Sequence, residues 1–118
     1  MIKEIGKTII AIEILNEDSV KISFEDGCVI EQYHENDCCE NVWVSQVDSD
    51  PQRFVGADAY WIKEKVTDCE ERSDESCTAT FYTLATSKGY LDWRWQGESN
   101  GYYSESVTMN FIGEFLSL

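Results

Sequence analysis

Apolar and polar side chains alternate along most of this chain with a period of two, the spacing of a strand with one face on a core and one in solvent. Lys7 to Leu15 is rich in isoleucine and ends at Asn16-Glu17-Asp18, which predicts a strand and its exit turn. Val20, Ile22 and Phe24 alternate with Lys21 and Ser23, a second, half-buried strand. Glu25-Asp26-Gly27 predicts a hairpin turn, with Gly27 free to take positive φ, and Cys28 to Tyr33 returns as the partner strand. A polar stretch, His34 to Glu40, interrupts before Asn41 to Val47 resumes strand alternation.

Asp50 then serves as an N-cap with Pro51 at the first helical position. Only about one turn fits before Gly56. Tyr60 to Thr67 reads as a strand, and Asp68 to Ser76 as a charged surface loop. Cys77 to Thr86, dominated by Thr, Phe and Tyr, is a strong strand that turns at Ser87-Lys88-Gly89. Tyr90 to Trp95 pairs back with it: Leu91, Trp93 and Trp95 make an apolar face, and Tyr90, Asp92 and Arg94 the opposite one. Gln96 to Gly101 reads as a turn, Tyr103 to Phe111 as a further strand, and Ile112 to Leu118 as a tail that packs down. The expected fold is mainly β, an antiparallel sheet or meander forming a small barrel or sandwich. The alternative is an α+β arrangement with one short helix.

Composition narrows the function classes. A length of 118 residues fits a single domain spanning 1–118, and 42% hydrophobic with 13% aromatic residues suits a folded chain. No apolar run follows a basic start at Met1-Ile2-Lys3-Glu4, so no export signal is expected. No stretch reaches the roughly 18 apolar residues of a membrane helix. A cytoplasmic protein without membrane contact is the expectation. Five cysteines, an odd number, then favour reduced thiols over disulfides. The net charge of −14 repels nucleic acid and anionic lipid, so direct binding to either is not expected. The same charge suits solubility, or imitation of a nucleic acid toward a basic groove.

Two stretches carry candidate chemistry. His34, Asp37, Cys38, Cys39 and Glu40 hold metal-ligand side chains. Adjacent cysteines diverge in extended backbone and the usual two-residue gap is missing, so His34, Cys38 and Cys39 are weak metal candidates. Nearby carboxylates also disfavour the thiolate that a Cys–His nucleophile needs. No phosphate-binding glycine loop, zinc-protease helix or nucleophile elbow is present, so neither a catalytic residue nor a cofactor is assigned and a non-enzymatic protein is expected. The second stretch runs from Tyr90 to Tyr103. Arg94 suits a phosphate or carboxylate. Trp93, Trp95, Tyr102 and Tyr103 suit stacking, and Ser99 and Asn100 suit orientation of a bound group, with His34 as a further candidate. The opposing reading makes Arg94 a structural residue paired with Asp92 or Glu98.

The block His34-x-x-Asp37-Cys38-Cys39-Glu40 and the block Arg94-Trp95-x-Gly97-x-Ser99-Asn100-Gly101-Tyr102-Tyr103 together resemble a family of small proteins encoded in phage and prophage genomes. Phe81-Tyr82 and Lys88-Gly89 fit the same pattern. The resemblance transfers no activity. It implies a setting, an accessory protein in an infected or lysogenic bacterium, where such proteins often disarm host defence. The expected function is sequestration of a nucleotide-type immune signal by a homo-oligomer. The alternative is an acidic mimic that inhibits a CRISPR or restriction effector, with a host defence protein as partner. That alternative rests on the acids Glu35 to Glu40 and on Asp68, Glu70, Glu71, Asp74 and Glu75.

Overall fold

A computed structural model describes residues 1–69, 76–101 and 103–115. It contains eight strands: β1 (Ile2–Leu15), β2 (Ser19–Phe24), β3 (Val29–Tyr33), β4 (Asn41–Val47), β5 (Asp58–Asp68), β6 (Ser76–Thr86), β7 (Gly89–Ser99) and β8 (Thr108–Ile112). One 3-10 turn, Pro51–Phe54, is the only helical element among the described residues. All pairings are antiparallel and form a single sheet in the order β4-β7-β6-β5-β1-β2-β3-β8. The mainly β, antiparallel expectation is therefore correct, and the sheet is not closed into a barrel.

Strand β1 makes the curvature. Its first half pairs with β5 and its second half with β2, with register irregularities between Glu4 and Lys7 and between Ile9 and Ala11. Gly6 takes φ +68° between them, a conformation that costs glycine little. The strand thus starts at Ile2, not Lys7, and bends as it crosses from one half of the sheet to the other. The curl brings β3 opposite β7. Gln32 of β3 accepts from the indole nitrogens of Trp93 (2.8 Å) and Trp95 (3.0 Å). Ile5, Ile9, Ile22, Ile30, Ile62 and Leu84 fill the space between, each no more than 1% exposed. Each such side chain contributes about 1.5–3 kcal/mol of apolar burial.

Local expectations held where neighbours did not intervene. Asp50 accepts from the Gln52 amide at 3.0 Å, capping the short turn before Gly56. That turn buries Phe54, and Gly56 and Ala57 pair with Ile9. Gly27 sits at φ +90° in the β2–β3 hairpin.

Three expectations need correction. Gln96–Ser99 is not a turn but the end of β7. It lies between β4 and β6, with Gly97 opposite both Val42 and Thr78, so both hydrogen-bonding edges have partners. Only Asn100 and Gly101 bend. Residues 103–107 are not strand, since β8 begins at Thr108. Glu105 instead turns inward over β7 and is 7% exposed. The thiols are not all reduced: Cys69 is joined to Cys77 and Cys38 to Cys39, leaving Cys28 buried and free. Strand pairing sets up the first bond, because the Cys69 amide donates to the Cys77 carbonyl at 3.0 Å. Glu70, Glu71, Asp74 and Glu75, together with the end of the tail at Leu118, lie outside the described residues.

Candidate functional site

The alternation of β7 decides where the expected site residues go. Trp93 and Trp95 point inward, 3% and 0% exposed, and Trp93 stacks on Tyr82 at 5.6 Å. Their rings are core, so the stacking role expected of them is withdrawn. Arg94 stands on the opposite, outer face.

Three strand registers assemble that outer face. Lys65, Phe81, Arg94 and Gln46 lie in one row across β5, β6, β7 and β4. Lys63, Thr83 and Asp92 form the next row, and Trp61, Ala85 and Tyr90 the one after. Lys63, Lys65, Phe81 and Tyr90 are exposed. The chain carries 9 Lys and Arg against 23 Asp and Glu, so three cations in two adjacent rows mark this face out.

Arg94 lacks the expected structural pairing. Its guanidinium lies over the Phe81 ring, 5.5 Å from the centroid, and Nη2 donates to Cys69 Sγ at 3.8 Å. It forms no ion pair with a carboxylate among the described residues. Its Nε is buried without a hydrogen-bond partner. A depression of about 200 Å³ opens beside it, lined by Gln46, Asp48, Phe81, Thr83, Asp92 and Arg94. Thr83 donates to Asp92 at 2.5 Å, which orients that carboxylate. The arrangement offers donors from Arg94, acceptors from Asp48 and Asp92, and one exposed aromatic ring.

The other expected residues are engaged elsewhere. His34 Nε2 contacts Glu40 Oε2 at 2.8 Å and Nδ1 contacts the Ser106 carbonyl at 2.7 Å. Both ring nitrogens face acceptors, an arrangement that the imidazolium satisfies in full. Glu40 also accepts from the amides of Cys38 (3.0 Å) and Asp37 (2.7 Å). Those bonds, the Cys38 amide foremost, hold its carboxyl down at about 2. This is a loop clamp that occupies the whole His34 ring. The Ser99 hydroxyl bonds the Glu105 carboxylate and accepts from the Gly101 amide at 3.0 Å. It also reaches the Tyr103 carbonyl at 3.4 Å, so Ser99 fastens the crossing segment. Asn100 is exposed at the bend, and Tyr102 lies outside the described residues.

Ser99 and Tyr103 therefore meet, His34 joins the same segment through Ser106, and Arg94 stands apart on the other face. Cys38 and Cys39 are bonded to each other, and no group of three metal-ligating side chains converges among the described residues. No helix among them is long and apolar enough to cross a membrane. Sequence reasoning missed Phe81, whose outward direction follows from alternation with Tyr82. It also missed Glu105 and Gln32, for which no local signal exists.

The fold and its outer face define an open, eight-stranded antiparallel sheet protein with a cationic-aromatic patch on an acidic body. The chain belongs to the family described as a domain of unknown function, DUF7448, whose model matches residues 3–109. Comparison with curated proteins and with solved structures gives no match.

Proposed function

We propose that this protein is a non-enzymatic binder of a small, anionic, nucleotide-like ligand, held on the outer face of β5, β6 and β7. The observation that carries this reading is Arg94, a guanidinium with an unpartnered buried Nε and no carboxylate paired to it, beside a depression. Arginine is the side chain best matched to a phosphate, which accepts two parallel N–H bonds. Lys63 and Lys65 add positive charge nearby. Phe81 offers a stacking surface, worth about 1–3 kcal/mol per base. Asp48 and Asp92 supply acceptors for ribose hydroxyls or base amines.

A depression of about 200 Å³ is smaller than the roughly 300–1,000 Å³ of pockets that enclose a drug-sized ligand. Closure by a second copy of the chain supplies the missing walls, which supports a homo-oligomer. In the phage setting that the two sequence blocks suggest, such a protein acts in the bacterial cytoplasm and withdraws a nucleotide immune signal from its receptor.

The test is to incubate the protein with lysates of phage-infected cells carrying different nucleotide-signalling defences, then denature it and identify the released small molecules by mass spectrometry. A nucleotide recovered from the wild type and lost from Arg94→Ala is the expected result. Equal recovery from Arg94→Ala, or none from any lysate, overturns the reading. Net charge −14 favours a second reading, an acidic mimic of nucleic acid that blocks a defence protein. Neutralising exposed Glu35, Asp37 and Asp68 would weaken that inhibition and leave nucleotide recovery unchanged.

A further inference from the structure

The inner face of the same sheet carries a second cleft, of about 290 Å³, between β5, β6 and the segment that leads into β8. Glu64, Thr78, Thr80, Glu105, Val66 and Val107 line it, with Ser104 and Ser106 at its edge. We propose that this cleft binds a small organic ammonium ion, through Glu64, Glu105 and Thr80.

Two observations point to a ligand. Thr80 is 3% exposed, faces the cleft, and its hydroxyl has no hydrogen-bond partner among the described residues. A buried hydroxyl without a partner is costly, and a bound donor removes that cost. Glu64 is the second. Tyr82 donates to its Oε2 at 2.7 Å, and Oε1 has no partner among the described residues. Burial and this carboxylate hold the Tyr82 phenol far above its ordinary range, so it stays a donor. Glu105 takes a hydroxyl on each oxygen, from Thr78 at 2.7 Å and from Ser99, and each oxygen keeps one lone pair.

Two carboxylates thus border one cleft whose lining has no Lys, Arg or His. The Met1 ammonium is bonded to the Glu64 backbone carbonyl at 3.2 Å, not to its carboxylate. A protonated amine has three N–H donors. Glu64 Oε1, the Thr80 hydroxyl and Glu105 provide three acceptors. Val66 and Val107 give the walls an apolar part, which suits a short alkyl chain. A hard metal ion fits less well, since it takes six or more oxygen ligands and gains nothing from valine.

The inference does not depend on the outer-face site, which lies across the sheet. The experiment is a titration of isotope-labelled protein with n-butylammonium chloride, followed by amide NMR, with n-butanol, sodium chloride and calcium chloride in parallel. The expected result is saturable shifts at Thr78, Thr80 and Ser104 to Val107 with n-butylammonium alone. Glu64→Gln keeps the Tyr82 bond and should weaken binding roughly tenfold or more, as loss of a charge-assisted hydrogen bond does. Thr80→Val should weaken it about twofold to tenfold with the remaining spectrum unchanged. Arg94→Ala should bind n-butylammonium as the wild type does. Equal shifts with n-butanol, tighter shifts with calcium, no saturable shift, or wild-type affinity in both cleft variants each overturn the proposal. If Glu64→Gln fails to fold, Thr80→Val decides.

Discussion

Glu105 lies directly over Gly97. A Cβ added at position 97 would meet the Glu105 Cβ at 2.7 Å and its carbonyl oxygen at 2.9 Å. One contact is backbone, so a rotamer change at Glu105 does not relieve the overlap. Gly97→Ala is therefore expected to destabilise the fold by about 1–3 kcal/mol, the usual cost of overpacking. Urea denaturation checks this, and an unshifted midpoint would show that residues 103–107 do not cross β7 as described.

Gln32 links the two facing halves of the sheet. Its Oε1 accepts from both Trp93 and Trp95, while Nε2 reaches Met109 Sδ at 3.3 Å. Gln32→Leu conserves bulk and leaves two buried indole N–H groups without acceptors. Each costs about 1–3 kcal/mol. Equilibrium unfolding followed by tryptophan fluorescence should register a loss in that range. A change below about 0.5 kcal/mol, as at an ordinary surface site, would contradict the shared bond.

Acid should act through Glu40 and Asp26. Amide bonds, led by that from Cys38, bring Glu40 from 4.5 to about 2. The Lys7 bond, chiefly, brings Asp26 from 3.8 to about 2. Both groups bind protons more weakly in the folded state. Their stabilisation is fully present above the unfolded values and fades as pH falls from about 4.5 toward 2. Glu40→Gln should be less stable than wild type at pH 7 and converge on it near pH 2. Urea midpoints measured across that range decide it, and parallel profiles would refute the clamp.

The cysteine pairing makes a mass prediction. Denatured but unreduced protein should take up one iodoacetamide, at Cys28, and reduced protein five. Uptake of five without reductant would return the chain to the thiol state expected from its sequence.

Much of this architecture is local and was legible. Strand β4 spans Asn41–Val47, the predicted range, because its ends are marked by polar residues and its alternation is regular. The Asp50 cap and the Gly27 turn depend on bonds and dihedrals within a few residues. The opposite faces of Trp93 and Arg94 follow from period two alone.

What tertiary structure decided lies in partners far apart along the chain. Gln96–Ser99 has the composition of a turn, yet becomes strand because β4 and β6 offer hydrogen bonds on both sides. Glu105 has the sequence context of a strand residue, yet turns inward because Ser99 and Thr78 present hydroxyls across Gly97. Lys63, Lys65, Phe81 and Arg94 share one face only through the registers of three strand pairs. Side-chain alternation is a property of each strand. Which strands lie side by side, and what covers them, is set by pairing over long separations, which no local pattern encodes.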